Sequence, residues 1–492
     1  MISNNIDNKS QLDGKGIIQS GSLAGKTLWV AIWFLAIPIL IQQILVACVG
    51  LADKMFAGSL PEEIVLPSMD AIGIGSYVGW FIAIAVSGIG IGSQALIARA
   101  MGSGDMKQGR SVLGQSISLA FFWGIAIAVG LWIFAKPLGE LCQLSESAQT
   151  YLVQYVHVVA IGMPACAVMQ TGAMCLHGSG DTIRPAVVMF FVNIANVFFS
   201  WVFSGADLQF GEYDIINPFS FDYHVVGIAI GTSISYLVGA LLILLVLARG
   251  DSSFKLQRSH LSLDIAIFWR IAKIGIPSFF EGLSMWLANL FVLQFIGQIA
   301  ARLAVQSGST SQVVEGLQGA HVIAVQWESF SFLPGFAIGI ASGTLAGQYL
   351  GANNIEEAKK AIKLCTGLAM IFMSLIGFVM MFAGSFLTSL ISTEPIHLEL
   401  VPKLLFIAGA TQIVFAFMMV LRQSLRGLGD TFWTLLITSF SSWCVRLPCV
   451  WFLGIYLGYG LVGIWYALCG EMAVRGFLFF LRFKHGGWAK SI

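Results

Sequence analysis

Twelve stretches of the chain run apolar for long enough to cross a lipid bilayer. They lie at about 28–51, 71–97, 111–135, 150–176, 185–204, 225–248, 274–300, 317–349, 364–391, 404–421, 432–457 and 460–481. From Tyr151 to Leu176, and again from Val225 to Ala248, there is no Lys, Arg, Asp or Glu. About 20 apolar residues in a helix cross the hydrocarbon core. Lipid offers no partners to free backbone amides, so an open chain crosses only as helix. The alternation of a membrane β-barrel is absent. Several stretches exceed the minimum length, which allows tilt or kinks. The pattern predicts an all-α polytopic membrane protein with twelve transmembrane helices.

Composition agrees. Apolar residues make up 57% of the 492 residues and charged residues 10%, against roughly 25% charged in soluble domains. The net charge of +1 and the lack of any long block of like charge exclude a nucleic-acid patch. Seven of the eight cysteines lie in or beside apolar runs and none shows metal spacing, so they read as small core residues. The first 26 residues are polar, and the apolar run that follows continues to Leu51. It reads as a retained helix, because a signal peptide would open on a short basic segment and end at a cleavage site.

Loop charge orients the bundle. With the N-terminus inside, 20 of the 26 Lys and Arg residues fall in cytoplasmic segments and only Lys54, Lys136, Arg302 and Lys403 fall outside. This bias predicts cytoplasmic N- and C-termini in the inner membrane. Two motifs recur at one separation of 249 residues. Arg99-Ala-Met-Gly102 returns as Gln348-Tyr-Leu-Gly351, and Gly178-Ser-Gly-Asp181-Thr182 returns as Gly427-Leu-Gly-Asp430-Thr431. A duplicated six-helix unit follows. Six crossings return the chain to its starting side, so the copies are two parallel six-helix lobes with the substrate path between them. The expected layout is a cytoplasmic tail (1–26), an N-lobe (27–249), a basic cytoplasmic interlobe loop (250–273), a C-lobe (274–482) and a cytoplasmic C-terminal tail (483–492). In both Gly-Asp-Thr motifs, Gly is expected to end one helix and Asp or Thr to cap the next.

Ionisable groups inside a span cost at least roughly 2.5–3.5 kcal/mol on insertion scales, so each is informative. Asp53 lies near the outer end of span 1 beside Lys54, and reads either as an interfacial pair with Lys54 or as a cation-binding carboxylate. Glu281 in span 7 and Glu328 in span 8 read as substrate or coupling groups. Arg446 in span 11 reads as the neutraliser of an acidic residue or as a substrate contact. Glu471 and Arg475 in span 12, four residues apart, read as a structural pair. Gln42, Asn193, Asn196 and Thr232 are neutral polar groups that either complete a site or join helices. His157 and His321 read as satisfied core histidines. Pro38 and Pro277 occupy similar places in spans 1 and 7, Pro164 and Pro334 interrupt spans 4 and 8, and all four are candidate hinges.

Enzymatic motifs fail. Gly21-Ser-Leu-Ala-Gly25-Lys26-Thr27 has one residue too few between its glycines for a phosphate loop, and no strand precedes it. No metal-ligand spacing or catalytic constellation is present, so catalytic residues, metals and cofactors are not expected. An ion gradient of H+ or Na+ would drive any uphill movement.

In order along residues 25–488, the chain resembles the multidrug and toxic compound extrusion (MATE) family in its bacterial branch. The stretches that carry this are Ile37-Pro38 with Leu51-Ala-Asp53-Lys-Met-Phe-Ala-Gly58, Gln94 to Gly102, Leu176-His-Gly178-Ser-Gly-Asp181-Thr182, Glu328 to Gly335, Leu345 to Ala352, Leu425 to Thr431, Arg446-Leu-Pro448, and Gly487-Trp488. The resemblance implies a V-shaped fold and export of lipophilic or cationic organic compounds in exchange for H+ or Na+. It implies a cation site of Asp53, Asn196 and Thr232, with Ser200 standing where the family carries a second carboxylate. That loss favours H+. Small organic cations and membrane lipid are the expected partners, nucleic acid is not, and a monomer is expected. A lipid-linked saccharide flippase of the same superfamily is the alternative; it would need a basic cavity, for which only Arg446 offers a buried charge. A membrane-embedded enzyme or channel is the alternative of another class.

Overall fold

Apolar composition around the whole circumference makes these segments helical and leaves large side chains facing outward. Phe122 (67%), Phe134 (66%) and Phe382 (69%) are among many large apolar groups left exposed by the protein itself. Lipid rather than water suits such a surface. The computed structural model describes residues 22–142, 144–210, 213–219, 221–250, 254–262, 264–306 and 316–490. Most of the N-terminal tail, the last two residues and Gly21 of the rejected phosphate-loop motif lie outside the described residues.

The helices are α1 (Leu28–Gly58), α2 (Glu62–Ser103), α3 (Met106–Leu141), α4 (Glu146–Ile161), α5 (Met163–Ser179), α6 (Ile183–Ser204), α7 (His224–Ala248), α8 (Ile265–Gln306), α9 (Leu317–Gly351), α10 (Ile355–Phe382), α11 (Gly384–Ser389), α12 (Pro395–Gly427), α13 (Thr431–Phe440), α14 (Leu447–Val450) and α15 (Gly460–His485). Eleven helical stretches are long and apolar enough to cross a membrane. The pair α4–α5, bent by 55°, passes the same test together, making twelve crossings among the described residues. A two-stranded antiparallel hairpin, β1 (Leu208–Phe210) and β2 (Tyr213–Ile215), joins α6 to α7.

Several helices outrun their apolar windows. Helices α2 and α8 have 42 residues each, roughly 63 Å of rise against a hydrocarbon core of about 30 Å. Helix α8 starts at Ile265, so the expected loop 250–273 is helical over its last nine residues. Before it, the described residues His260, Leu261, Ser262 and Asp264 are clipped to α3. The Gln115 amide nitrogen donates to the carbonyls of His260 (3.1 Å) and Ser262, Ser118 donates to Leu261 (3.0 Å), and the Asp264 amide donates to Gln115 (3.0 Å).

The prolines behave unequally. Pro164 stands in the first turn of α5, directly after the bend at Gly162. Pro38, Pro277 and Pro334 lie inside helices that continue through them; Pro334 therefore does not interrupt its helix. The eleventh crossing departs from α-geometry twice. Ser441–Arg446 and Trp451–Tyr456 are π-helical and flank the short α14, which contains Pro448. Proline lacks an amide and crowds the carbonyl four residues back, so the ladder here favours wider turns.

The chain divides into two compact units. Among the described residues, one holds 22–24 and 37–276 and the other holds 25–36 and 277–492. The boundaries cut α1 between Ala36 and Ile37, one residue short of Pro38, and α8 directly before Pro277. Each unit repeats details of the other at the separation of 249 residues. Asp105 caps α3 by accepting from the Gln108 amide (3.0 Å), and Asn354 caps α10 by accepting from Glu357 (3.0 Å). Gly180 and Gly429 take positive φ (88° and 82°) just past α5 and α12. A Cβ on Gly178 would meet the Gln94 carbonyl at 2.7 Å, and one on Gly427 would collide with the Gly343 backbone. Only glycine permits that approach. The aspartates of the two motifs diverge. Asp181 accepts from the Arg184 amide (3.2 Å) in the manner of a cap, whereas Asp430 accepts from Arg482 (2.6 and 3.0 Å) and makes no capping bond. His321 is buried and accepts from Trp465 (3.2 Å), as expected of a satisfied core histidine, whereas His157 is half-exposed rather than core, stacked on Trp132 (4.1 Å) with its Nε2 3.2 Å from the Trp132 carbonyl.

Candidate functional site

Asp53 lies near the end of α1, three residues before Phe56, which joins Ala57, Leu60, Ile72, Ala206, Val225 and Ile228 in a small apolar cluster against which Tyr155 also packs. It is buried (5% exposed), while Lys54 is exposed. The partners of its carboxylate come from three other helices. Tyr155 of α4 donates its phenol to Oδ2 (3.2 Å), Asn196 of α6 donates its amide to Oδ1 (3.4 Å), and Thr232 of α7 donates its hydroxyl (3.1–3.2 Å). Asn196 also donates to Thr232 Oγ1 (3.0 Å). Asn196 Oδ1 is buried without a hydrogen-bond partner. All three donors are uncharged, and the alternative of a pair with Lys54 is replaced by this cluster.

Close approach of α6 and α7 makes the cluster. A Cβ on Gly231, next to Thr232, would collide with the Ser200 backbone and hydroxyl. Ser200 itself does not join the site. Its hydroxyl donates to the Ile228 carbonyl (3.3 Å), because at that depth α7 presents a backbone oxygen instead of Asp53. Tyr155 is the member that the sequence reading missed. A phenol inside the charge-free fourth span was the available signal.

The other candidates sit elsewhere. Asn193 turns back onto its own helix and donates to the Met189 carbonyl (2.9 Å), so it joins no site. Gln42 lies against His177 (2.9 Å), eleven residues before Asp53 on α1. Glu281, a substrate or coupling candidate in the sequence, is fully buried and already paired. Arg422 Nε donates to it (2.5 Å), Arg426 is 3.8 Å away, and Thr434 and Thr438 donate at 3.0 Å each. The apolar window of span 10 ends before both arginines and places them in a cytoplasmic segment, but α12 runs on past that window and keeps their side chains 13% and 10% exposed.

Each guanidinium nitrogen of Arg446 makes a hydrogen bond. Its Nε and one terminal nitrogen donate to Glu471 (3.1 and 2.8 Å), and the other donates to Asn289 Oδ1 (2.7 Å). Glu471 also pairs with Arg475 (2.7 Å) and accepts from Ser441, and Arg475 donates to Ser442 (2.9 Å). This matches the expectation of neutralisation for Arg446 and of a pair for Glu471 and Arg475. Glu328 is half-buried within electrostatic reach of Arg446, and makes no hydrogen bond or ion pair among the described residues. No group of three or more His, Cys, Asp or Glu among the described residues could hold a metal ion.

The comparisons with known proteins agree with this architecture. The MatE family model matches residues 38–202 and again 277–452. A Thermotoga maritima protein named "Probable multidrug resistance protein NorM" is 26% identical over 456 residues, covering 93% of this chain and 92% of its own. A Bacillus subtilis protein named "Uncharacterized transporter YisQ" is 24% identical over 462 residues, with 92% and 94% covered. Among solved structures, "Crystal structure of MATE in the bent conformation" shares the fold at a TM-score of 0.82 and 20% identity, over 95% of this chain and 97% of that one. One family model thus matches each half in turn, on the fold of solved MATE proteins, and this chain belongs to the MatE family as a multi-pass membrane transporter rather than an enzyme.

Proposed function

We propose that this transporter is a secondary active exporter, moving lipophilic and often cationic organic compounds outward in exchange for H+, with Asp53 as the exchanging carboxylate. The observation that carries the reading is the setting of Asp53: buried, held by a phenol, an amide and a hydroxyl, and without an ion pair among the described residues. A charge in such surroundings is costly unless a counter-charge accompanies it. A proton arriving from outside and an organic cation arriving from inside are both suitable, and they compete. Binding of one then weakens binding of the other by the same factor in each direction. The name of the Thermotoga maritima relative supports drugs as the substrate class. Aromatic residues, 12% of the chain, supply apolar contact surface.

In this mechanism α1 rearranges about Pro38 when Asp53 changes its partner, with Pro277, Pro164 and Pro334 as further hinges. The loop-charge bias supports cytoplasmic termini in an inner membrane, and a monomer suffices for the scheme. Na+ is the second reading, favoured by the unpartnered Asn196 Oδ1, which would complete an oxygen shell with Asp53 and Thr232. The flippase alternative is the weaker one, because the charge of Arg446 is already paired with Glu471, and Asn289 accepts a further hydrogen bond from it.

The test uses reconstituted vesicles, a fluorescent cationic dye, and pH and Na+ gradients imposed separately. The pH gradient alone is expected to drive uphill dye export, and Asp53→Asn to slow it by about a hundredfold, roughly 2.7 kcal/mol of lost driving interaction. Uphill export at the normal rate in Asp53→Asn would remove Asp53 from the mechanism. Drive by Na+ alone would put the second reading in place of the first. If no organic compound moves under either gradient, the exporter reading fails.

A further inference from the structure

The duplication aligns two contacts that differ in charge. Gln42 stands four residues after Pro38, and Glu281 stands four residues after Pro277. His177 and Arg426 are separated by the same 249 residues as the motifs that contain them, Leu176-His-Gly-Ser-Gly-Asp-Thr and Leu425-Arg-Gly-Leu-Gly-Asp-Thr. In one unit Gln42 Oε1 and His177 Nε2 are 2.9 Å apart, both side chains buried, and His177 Nδ1 has no partner. In the other, Glu281 meets Arg426 at 3.8 Å and Arg422 at 2.5 Å, with two threonine hydroxyls on the same carboxylate. The first helix of each unit is thus tied, just past its proline, to the helix that ends in the Gly-Asp-Thr motif. One tie is a single neutral hydrogen bond, and the other is an ion cluster.

We infer that Gln42 and His177 form a clasp that must open during transport, positioning α1 for the exchange at Asp53, whereas the Glu281 cluster is a clamp that stays closed. The inference rests on the exporter reading above. Charge-assisted hydrogen bonds are roughly twice as strong as neutral ones, and a buried ion pair cannot part without stranding its charges. A single neutral bond parts at far smaller cost. Pro38 has already removed one rung of the α1 ladder on the near side of Gln42. Asp53 lies three turns further along the same helix, about 16 Å away. A change of partner at Asp53 therefore has a rigid lever leading to a weak tie, and α8 has the same proline but no weak tie.

The test transplants the charged contact. In Gln42→Glu with His177→Arg, the maximal export rate should fall at least about tenfold, while the half-saturating dye concentration stays within about twofold and the melting temperature does not drop. A defect of folding alone would lower the amount of active protein together with its melting temperature. His177→Gln, which keeps a neutral bond to Gln42, should export within about threefold of the parent. The clasp is overturned if the double variant exports at the parental rate, or if His177→Gln abolishes export with an unchanged melting temperature. Should the double variant fail to accumulate, Gln42→Leu decides. It removes the tie without adding charge and should speed downhill dye equilibration by about threefold or more, and an unchanged or slower rate overturns the inference. All these variants keep Asp53, so failure of the clasp is read in a protein that still answers to the cation gradient. Failure of the exporter reading would instead appear in the parent.

Discussion

In the unit of residues 37–276, the buried carboxylate Asp53 is held by neutral donors alone. In the unit of residues 277–492, the fully enclosed carboxylates Glu281, Asp430 and Glu471 each meet at least one guanidinium, and the half-buried Glu328 is the exception, without an ion pair among the described residues. The two units share caps, positive-φ glycines and glycine contacts at matched positions, so the scaffold is common and the charge bookkeeping is what differs. A carboxylate that already has its cation is part of the structure. One that lacks a cation is left open to a mobile one.

The largest expected effect separates these two kinds of carboxylate. Glu471→Gln strands Arg446 and Arg475 and should cost about 3–5 kcal/mol of stability, whereas Asp53→Asn, which removes an unpaired charge, should not lower stability; thermal unfolding in detergent measures both. Equal losses would erase the contrast. Next comes Tyr155→Phe, which deletes one neutral donor to Asp53. It should slow pH-driven dye export by about tenfold and leave the protein folded, the loss of one hydrogen bond to a charged group being worth about 1.5–3 kcal/mol. No change in rate would take Tyr155 out of the site. The smallest effect tests the shared scaffold. Asp105→Ala and Asn354→Ala should each cost about 1 kcal/mol, and a large inequality in their melting temperatures would show that the matched caps are not equivalent.

Much of the fold was readable because lipid imposes a simple rule on the chain, and all twelve crossings obey it. Helix ends were less readable. The apolar window closes before the helix does, which is why Arg422 and Arg426 looked like loop charges although α12 holds them against Glu281. At the candidate site, Asp53, Asn196 and Thr232 come together as the family resemblance implied. Ser200 and Asn193 share a helix with Asn196 yet point to backbone carbonyls. Which face of a uniformly apolar helix turns inward is decided by packing, such as the contact of Gly231 with Ser200, and no local pattern encodes it. Tyr155 was missed for the same reason. The π-helical turns were also hidden, since only Pro448 hinted at irregularity.

The first of those wide turns sets which side chains can meet Glu471. Five residues along an α-helix, Ser441 and Arg446 would point roughly 140° apart. The bond from the Leu447 amide to the Ser442 carbonyl widens the turn, so that residues five apart stack one above the other. Ser441 and Arg446 then reach the same carboxylate. The eleventh crossing is in this sense keyed. Rewinding that turn into ordinary helix would swing one of the two out of the lock, and Glu471 serves as the tumbler that holds the helix at a single rotational setting.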